Sequence, residues 1–347
     1  MGRALRVGLI GAGGIAGAHL RAYQQFPDLV RLVAVADPRE EAARQRAAES
    51  GAEQVYRDPY RLIREAGVEA VDICTPHDQH APLAVAAAEA GLHVLVEKPM
   101  ACSMQECRDM VEAGRRAGVA LMVAQCQRYS PGHRGVKKAL DAGELGRIFS
   151  VQFDSMQNIC AFLPPTHWLY DGKQSGGGIV ISVSVHKIDL MRYFLGDVRR
   201  VSAVCKVMRP GFVNGAEDYA AATLEFESGA IGSHFATYSG YRMPWSEKFL
   251  ILGEKGALHD TQIASDLRPG EASGWGKQFA GFVPVEPDHE GLPTDDAFIN
   301  EVLHWAECCR TGSEPLTSGR DNLDTMRVIF GIYESSRLGA PVDLATV

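Results

Sequence analysis

Three groups of residues in this chain have types and spacings suited to chemistry. The first is Glu97-Lys98-Pro99, which directly follows the apolar run Leu92-His93-Val94-Leu95-Val96. A short, continuous apolar run is the pattern of a strand buried on both faces of a parallel sheet. An ionisable pair at the carboxyl end of such a strand points into the crevice where open α/β sheets bind ligands. The second group is Gly11-Ala12-Gly13-Gly14-Ile15-Ala16, a G-x-G-x-x-A sequence. Its first glycine permits a tight turn, its second lets backbone approach a pyrophosphate, and the small third residue lets helix and strand pack closely. The third group is Gly176-Gly177-Gly178, then Ser182, His186 and Asp189. On a helix running from Gly178, Ser182 and Asp189 each lie one turn from His186. A triple glycine ahead of that helix signals close backbone approach or a mobile entrance.

The glycine pattern gains meaning from its surroundings. It follows a strand, opens a helix, and has Asp37 at the end of the second strand, twenty-one residues after Ala16. Phosphates are expected on the helix N-terminus, at Gly11, Gly13, Gly14, Ile15 and Ala16, where N–H groups and the helix dipole favour anions. Asp37 is expected to accept hydrogen bonds from the adenosine ribose hydroxyls and to repel a 2′-phosphate, which predicts NAD. Arg39, two residues later, is the feature that would admit NADP. Asp37-Pro38 also suits a helix N-cap, and both roles are compatible. Thr75-Pro76 ends the fourth strand at the same edge. His77 and His80 follow; His80 is a candidate to reach the cofactor, and the competing reading makes both helix-start residues at a solvent edge.

The elements that must position these groups read as an α/β protein of two domains, residues 1–124 and 125–347. Strands at Leu5–Ile10, Arg31–Ala36, near Val55, Ala70–Cys74, Leu92–Val96 and Val119–Ala124 alternate with helices. These helices are predicted at Gly14–Gln25, from Pro38, from Asp58-Pro59, and over about His77–Ala90 and Ser103–Ala117. This alternation predicts a doubly wound parallel sheet of the Rossmann type. Beyond Gln125 the strands become longer and alternate polar with apolar: Arg147–Gln157, Val198–Met208, Tyr219–Phe226, Ala230–Tyr238 and Lys248–Leu252. Turn signals at Glu227-Ser228-Gly229 and Gly253-Glu254-Lys255-Gly256 separate them, which predicts an open, largely antiparallel sheet. One helix is expected over Gly178–Leu195 and two more over Thr294–Arg310 and Ser318–Arg337. The Gly-, Pro- and Asp-rich stretch Ala264–Glu290 reads as a long loop.

With 347 residues the chain exceeds one compact core, and 46% hydrophobic with 22% charged residues is ordinary globular composition. The formal charge of −8 argues against a nucleic-acid or anionic-membrane surface. No apolar stretch approaches a membrane span, and the N-terminus leads straight into a strand, so no signal peptide is expected. The eight cysteines contain no C-x-x-C pair, and Cys74, Cys126 and Cys205 lie in apolar surroundings. A reducing cytoplasm and no metal site are expected.

From the glycine fingerprint through Thr75-Pro76, Glu97-Lys98-Pro99 and the Gly-Gly-Gly…His…Asp cluster to the last helices, the chain resembles the Gfo/Idh/MocA family. These are NAD(P)-dependent oxidoreductases of the glucose–fructose oxidoreductase and inositol dehydrogenase type. The resemblance implies a Rossmann domain joined to an α/β domain whose open sheet forms a homodimer or homotetramer interface. It implies hydride transfer between nicotinamide and a secondary alcohol of a sugar, glycoside or cyclic polyol. It places Lys98 on the reacting hydroxyl with His186 beside it, Glu97 and Lys98 at the cofactor, and the Lys98–Pro99 peptide in the cis form.

The family carries Asp where this chain has Ser182, and Gly where it has Ser184. The Trp-Arg that often precedes the glycines is represented by His167-Trp168-Leu169, so Trp168 packs against cofactor, sugar or core. A serine hydroxyl orients an imidazole without supplying the negative charge that raises its basicity. Lys98 is therefore expected to carry more of the proton handling, with His186 on the substrate and Ser182 orienting it. Arg128, Tyr129, His167, Trp168 and Asp189 are the further candidates for holding a polyhydroxylated ring. A redox-assisted lyase or glycosidase and a silent cofactor-binding regulator are the competing functions.

Overall fold

The computed structural model describes residues 3–268, 270–273 and 279–347. The chain divides into two units, one comprising residues up to Tyr129 together with Pro293–Met326, the other Ser130–Leu292 and Arg327–Val347.

The first unit begins with β1 (Leu5–Ile10), α1 (Ala16–Gln25), β2 (Val30–Ala36), α2 (Glu40–Ser50), β3 (Gln54–Tyr56) and α3 (Pro59–Glu65). It continues with β4 (Ala70–Ile73), α4 (His80–Glu89), β5 (His93–Glu97), α5 (Met104–Ala117) and β6 (Leu121–Ala124). The six strands are parallel in the order β3-β2-β1-β4-β5-β6. Strand order reverses between β1 and β4, which opens a crevice beyond their carboxyl ends. Helix starts follow local chemistry. Asp58 accepts the Tyr60 N–H at the start of α3, and Ser103 accepts the Glu106 N–H at the start of α5 while Glu106 accepts that of Cys102. One alternative is removed: α2 starts at Glu40 with Arg39 at the cap position, so Asp37 is not its N-cap.

The second unit contains α6 (Pro131–Asp141), β7 (Ile148–Met156), the single turn α7 (Gly172–Ser175), α8 (Val185–Leu195), β8 (Val198–Lys206), β9 (Tyr219–Phe226) and β10 (Ile231–Thr237). After these come β11 (Ser246–Gly253), β12 (Gly256–His259), β13 (Gln262–Ser265), β14 (Gly270–Ser273), β15 (Phe279–Gly281) and β16 (Val283–Pro284). Two last helices, α9 (Ala297–Thr311) and α10 (Gly319–Leu338), precede the short β17 (Val342–Asp343). Among the described residues nine strands form one sheet in the order β16-β13-β12-β11-β7-β10-β9-β8-β17. Its pairs are antiparallel except β7 with β10. The alternation seen in the sequence is the pleat. Val201, Leu224, Ala236 and Phe153 face a covered side, where Phe194 of α8 meets Phe153 and Phe249, whereas Val204 and Ile231 face outward and are exposed.

Three expectations are corrected. Helix α6 was not anticipated. The stretch Ala264–Glu290 is not one loop, since it contains β14 to β16, with residues 269 and 274–278 outside the described set. Strands this short offer too few positions for alternation to appear. The boundary after 124 also misses that α9 returns to the first unit. There Ile299, Val302, Trp305 and Ala306 pack into the core containing Leu9, Ala16 and Leu20. Among the described residues, no helix is long and apolar enough to cross a membrane.

Candidate active site

In the first unit the turn after β1 is shaped for a dinucleotide. Gly11 has φ +96°, and a Cβ there would overlap the Cys74 carbonyl, so only glycine fits. A Cβ on Gly13 or Gly14 would meet nothing within 4 Å, so the loop is open on the side where phosphates lie. Ala16, fully buried, starts α1, and Ile15 before it is partly exposed. Asp37 Oδ2 accepts the Ala12 N–H at 2.9 Å, while Oδ1 accepts the Arg39 N–H at 2.9 Å and its Nε–H at 3.2 Å. Burial pushes the Asp37 carboxyl up, but hydrogen bonds from the Arg39 side chain and from the Ala12 and Arg39 backbone outweigh it. They hold the group below the usual carboxylate range. These residues fit an NAD adenosine ribose and pyrophosphate, with Arg39 drawn onto Asp37.

The Glu-Lys-Pro segment ends β5, and its Lys98–Pro99 peptide is cis. Lys98 is half-buried, and its N–H donates to Glu97 Oε2 at 3.0 Å. His80 does not take the cofactor role given to it. It is fully buried, with Nδ1 2.7 Å from the Pro99 carbonyl and Nε2 3.0 Å from that of Thr75. Behind Glu97 lies a cluster that sequence reasoning missed. His19 Nδ1 is 2.9 Å from Asp72 Oδ2, and its Nε2 is 3.1 Å from Glu97 Oε1 and 3.7 Å from Glu301 Oε1. The Tyr23 hydroxyl donates to Asp72 Oδ2 at 2.7 Å.

Burial pulls the His19 pKa down, but Asp72 beside it more than reverses this, so the ring is held protonated. Burial pushes the Glu301 carboxyl well up, past the attraction of His19. His19, Asp72 and Cys74 bring ligand-type atoms within 4.8 Å of one another. The hydrogen bonds from His19 and Tyr23 already satisfy Asp72, and burial pushes the Cys74 thiol up, away from the thiolate a metal needs. The readable signal was Asp72 itself, an acid inside the apolar strand Ala70–Ile73.

Two substrate candidates prove to be interior residues of the first unit. Arg128 is buried and pairs with Asp321 at 2.9 Å. Tyr129 is buried in the core, its hydroxyl 3.3 Å from Thr317 Oγ1 and its carbonyl accepting from Asn300. Both serve to seat α9 and the start of α10, which explains why they bracket a domain edge.

In the second unit the glycines serve close approach. A Cβ on Gly178 would overlap the Glu217 carbonyl, and one on Gly177 would overlap the Tyr333 hydroxyl. Glu217 accepts the Gly178 N–H at 2.7 Å, the Val180 N–H at 2.8 Å and the Tyr333 hydroxyl at 3.2 Å. Burial pushes its carboxyl up to about 7 against these hydrogen bonds. The segment that follows is not a uniform α-helix. Val180–Ser184 forms a π-helical turn before α8, so the one-turn spacing assumed between Ser182 and His186 does not apply there. Ser182 is buried, His186 is half-buried on α8, and Asp189 is buried. Trp168 and His167 are half-buried on a short 3-10 turn with ring centroids 5.4 Å apart, and His167 Nδ1 accepts the Leu169 N–H.

A model described as the oxidoreductase family with NAD-binding Rossmann fold matches residues 5–125, and one for the GFO/IDH/MocA C-terminal domain matches residues 133–259. The chain is 30% identical to D-apiose dehydrogenase of Paraburkholderia graminis, across 98% of this chain and 89% of that one. The chain belongs to the Gfo/Idh/MocA family. A second family member, the NAD(+)-dependent scyllo-inositol 2-dehydrogenase of Bacillus subtilis, is 29% identical over 98% of this chain and 96% of its own. Levoglucosan dehydrogenase in complex with NADH superposes with a TM-score of 0.87 at 27% identity, covering 99% of both chains. As a Gfo/Idh/MocA protein the chain is an oxidoreductase, and its first unit is an NAD-binding Rossmann domain.

Two predictions follow from this geometry. On the expectation that Asp37 meets the adenosine ribose, Asp37→Ser removes a carboxylate that would repel a 2′-phosphate and releases Arg39. The ratio of NADP to NAD affinity, measured by titration, should rise by about tenfold or more, and an unchanged ratio would take Asp37 out of the ribose site. Glu217 is raised above its ordinary 4.5, so its contribution to stability is full below that pH and is lost as pH rises through about 7. Wild-type protein should lose about 3 kcal/mol over this window that Glu217→Gln does not lose. Urea midpoints at pH 5 and 8 measure the difference, and parallel behaviour of the two proteins would contradict it.

Proposed function

We propose that the protein is an NAD-dependent dehydrogenase that oxidises a secondary alcohol of a sugar, glycoside or cyclic polyol. The observation that carries this reading is Lys98, half-buried at the carboxyl end of β5 in an NAD-binding Rossmann unit. The relatives support it, since their names attach dehydrogenation to inositol, apiose and levoglucosan.

Alcohol oxidation requires a proton to leave oxygen as hydride leaves carbon. NAD, when bound, supplies the hydride acceptor. Lys98 takes up the hydroxyl proton or, as ammonium, stabilises the developing alkoxide; a lysine in partly desolvated surroundings suits either task. His186 hydrogen-bonds the substrate and shares the proton handling. Ser182, buried on the π-helical turn before α8, orients His186, in a position where the family more often has a charged partner. Trp168, His167 and Asp189 are the remaining candidates to hold the ring.

The assay is NADH formation at its absorbance band over a panel of inositols, aldoses and glycosides. One or more should turn over, and Lys98→Ala should lower kcat by about 100-fold or more while NAD still binds. Near-normal turnover by Lys98→Ala would remove Lys98 from the chemistry. Release of an aglycone or eliminated group without net NADH would favour the lyase reading, and NAD binding without turnover on any substrate a regulator.

A further inference from the structure

Two buried histidines hold the main chain on either side of Lys98. His19, in the first turn of α1, links Asp72 on β4 to Glu97 on β5, and the other oxygen of Glu97 accepts the Lys98 N–H. His80, the first residue of α4, reaches the Pro99 carbonyl with one ring nitrogen and the Thr75 carbonyl with the other. Glu97 is therefore tied from behind and Pro99 from the side, with Lys98 between them.

We propose that His19 and His80 are positioning residues for Lys98, fixing the backbone from which its side chain reaches the reacting hydroxyl. This rests on the reading of Lys98 given above. A lysine has a four-carbon stem and many rotamers, so its aim depends on how firmly its backbone is set. Misplacement by about 1 Å costs on the order of 100-fold in rate.

The chemistry of the cluster suits a fixed bracket. Two buried carboxylates, Asp72 and Glu97, would be costly without a cation between them, and His19 supplies one that meets both. Other titratable groups face this cluster, among them Cys126, whose thiol burial pushes well up. Burial pushes the carboxyl of Glu301 on α9 well up, Tyr23 of α1 donates to Asp72, and burial pushes the thiol of Cys74, just after β4, up as well. His19 also sits on α1, the helix whose N-terminus would receive the dinucleotide phosphates. One rigid element thus seats the cofactor and anchors the lysine loop.

The test uses full-length enzyme carrying His19→Gln, His80→Gln or Lys98→Ala, and the double variants of each histidine with Lys98→Ala. Each histidine variant should lose about 10- to 100-fold in kcat while KM and Kd for NAD change by less than about threefold. On the Lys98→Ala background each histidine change should cause no further loss, because the group being aimed is gone. Folded histidine variants with wild-type kcat, or equal losses with and without Lys98, would overturn the inference and make the histidines plain structural supports. If His19→Gln does not fold, Glu97→Gln takes its place: it keeps an oxygen for the Lys98 N–H but breaks the charged link, and the same loss is expected. Normal histidine variants beside an inactive Lys98→Ala would sink this inference alone. A fully active Lys98→Ala would sink the proposed reaction and this inference with it.

Discussion

The buried contact of the His19 imidazolium with Asp72 and Glu97 is the constraint on which the first unit depends. An aspartate inside a central parallel strand and a glutamate at the end of the next one are costly in an apolar core, and one shared cation makes both tolerable. The requirement propagates outward. His19 sits in the first turn of α1, from which its side chain reaches Asp72 on β4 and Glu97 on β5, and the fully buried Ala16 opens the same turn. The turn before α1 is then forced into the Gly11 conformation. The glycine fingerprint and the Glu-Lys-Pro motif, some eighty residues apart in the chain, are two ends of one electrostatic arrangement.

The second unit solves a parallel problem with a different acid. Glu217 presents its carbonyl and carboxylate to the helical start at Gly178–Val180, and Tyr333 closes the remaining hydrogen bonds. That close approach explains the glycines better than mobility does, because any side chain at Gly177 or Gly178 would displace Tyr333 or Glu217. Lys98 stands on backbone held by a buried acid, and in the second unit Glu217 holds the start of the helical segment that leads into α8 and His186.

The sequence made the frame legible because its patterns are long or locally forced. Leu5–Ile10 and Tyr219–Phe226 are strands with the limits their apolar patterns indicate, and Gly11, Asp37 and Lys98 stand where their motifs imply. What escaped depends on contacts between distant residues. His19 reads as one more histidine on an amphipathic helix until Asp72 and Glu97 are seen around it, and His80 reads as a solvent-edge residue until two carbonyls meet its ring. Tyr129 and Arg128 sit beside a domain edge in the sequence, but α9 returns to cover them, and nothing local announces that return. The π-helical turn at Val180–Ser184 is likewise invisible to a reading that assumes 3.6 residues per turn.

The buried bracket is proposed to deliver Lys98 to the hydroxyl being oxidised. A crystal structure with NADH and a bound polyol tests it most directly. Lys98 Nζ is expected within about 2.6–3.2 Å of the oxygen whose carbon faces the nicotinamide, with the His19–Glu97 and His80–Pro99 contacts intact. Lys98 Nζ more than about 4 Å away, with another side chain at hydrogen-bond distance from that oxygen, would contradict it.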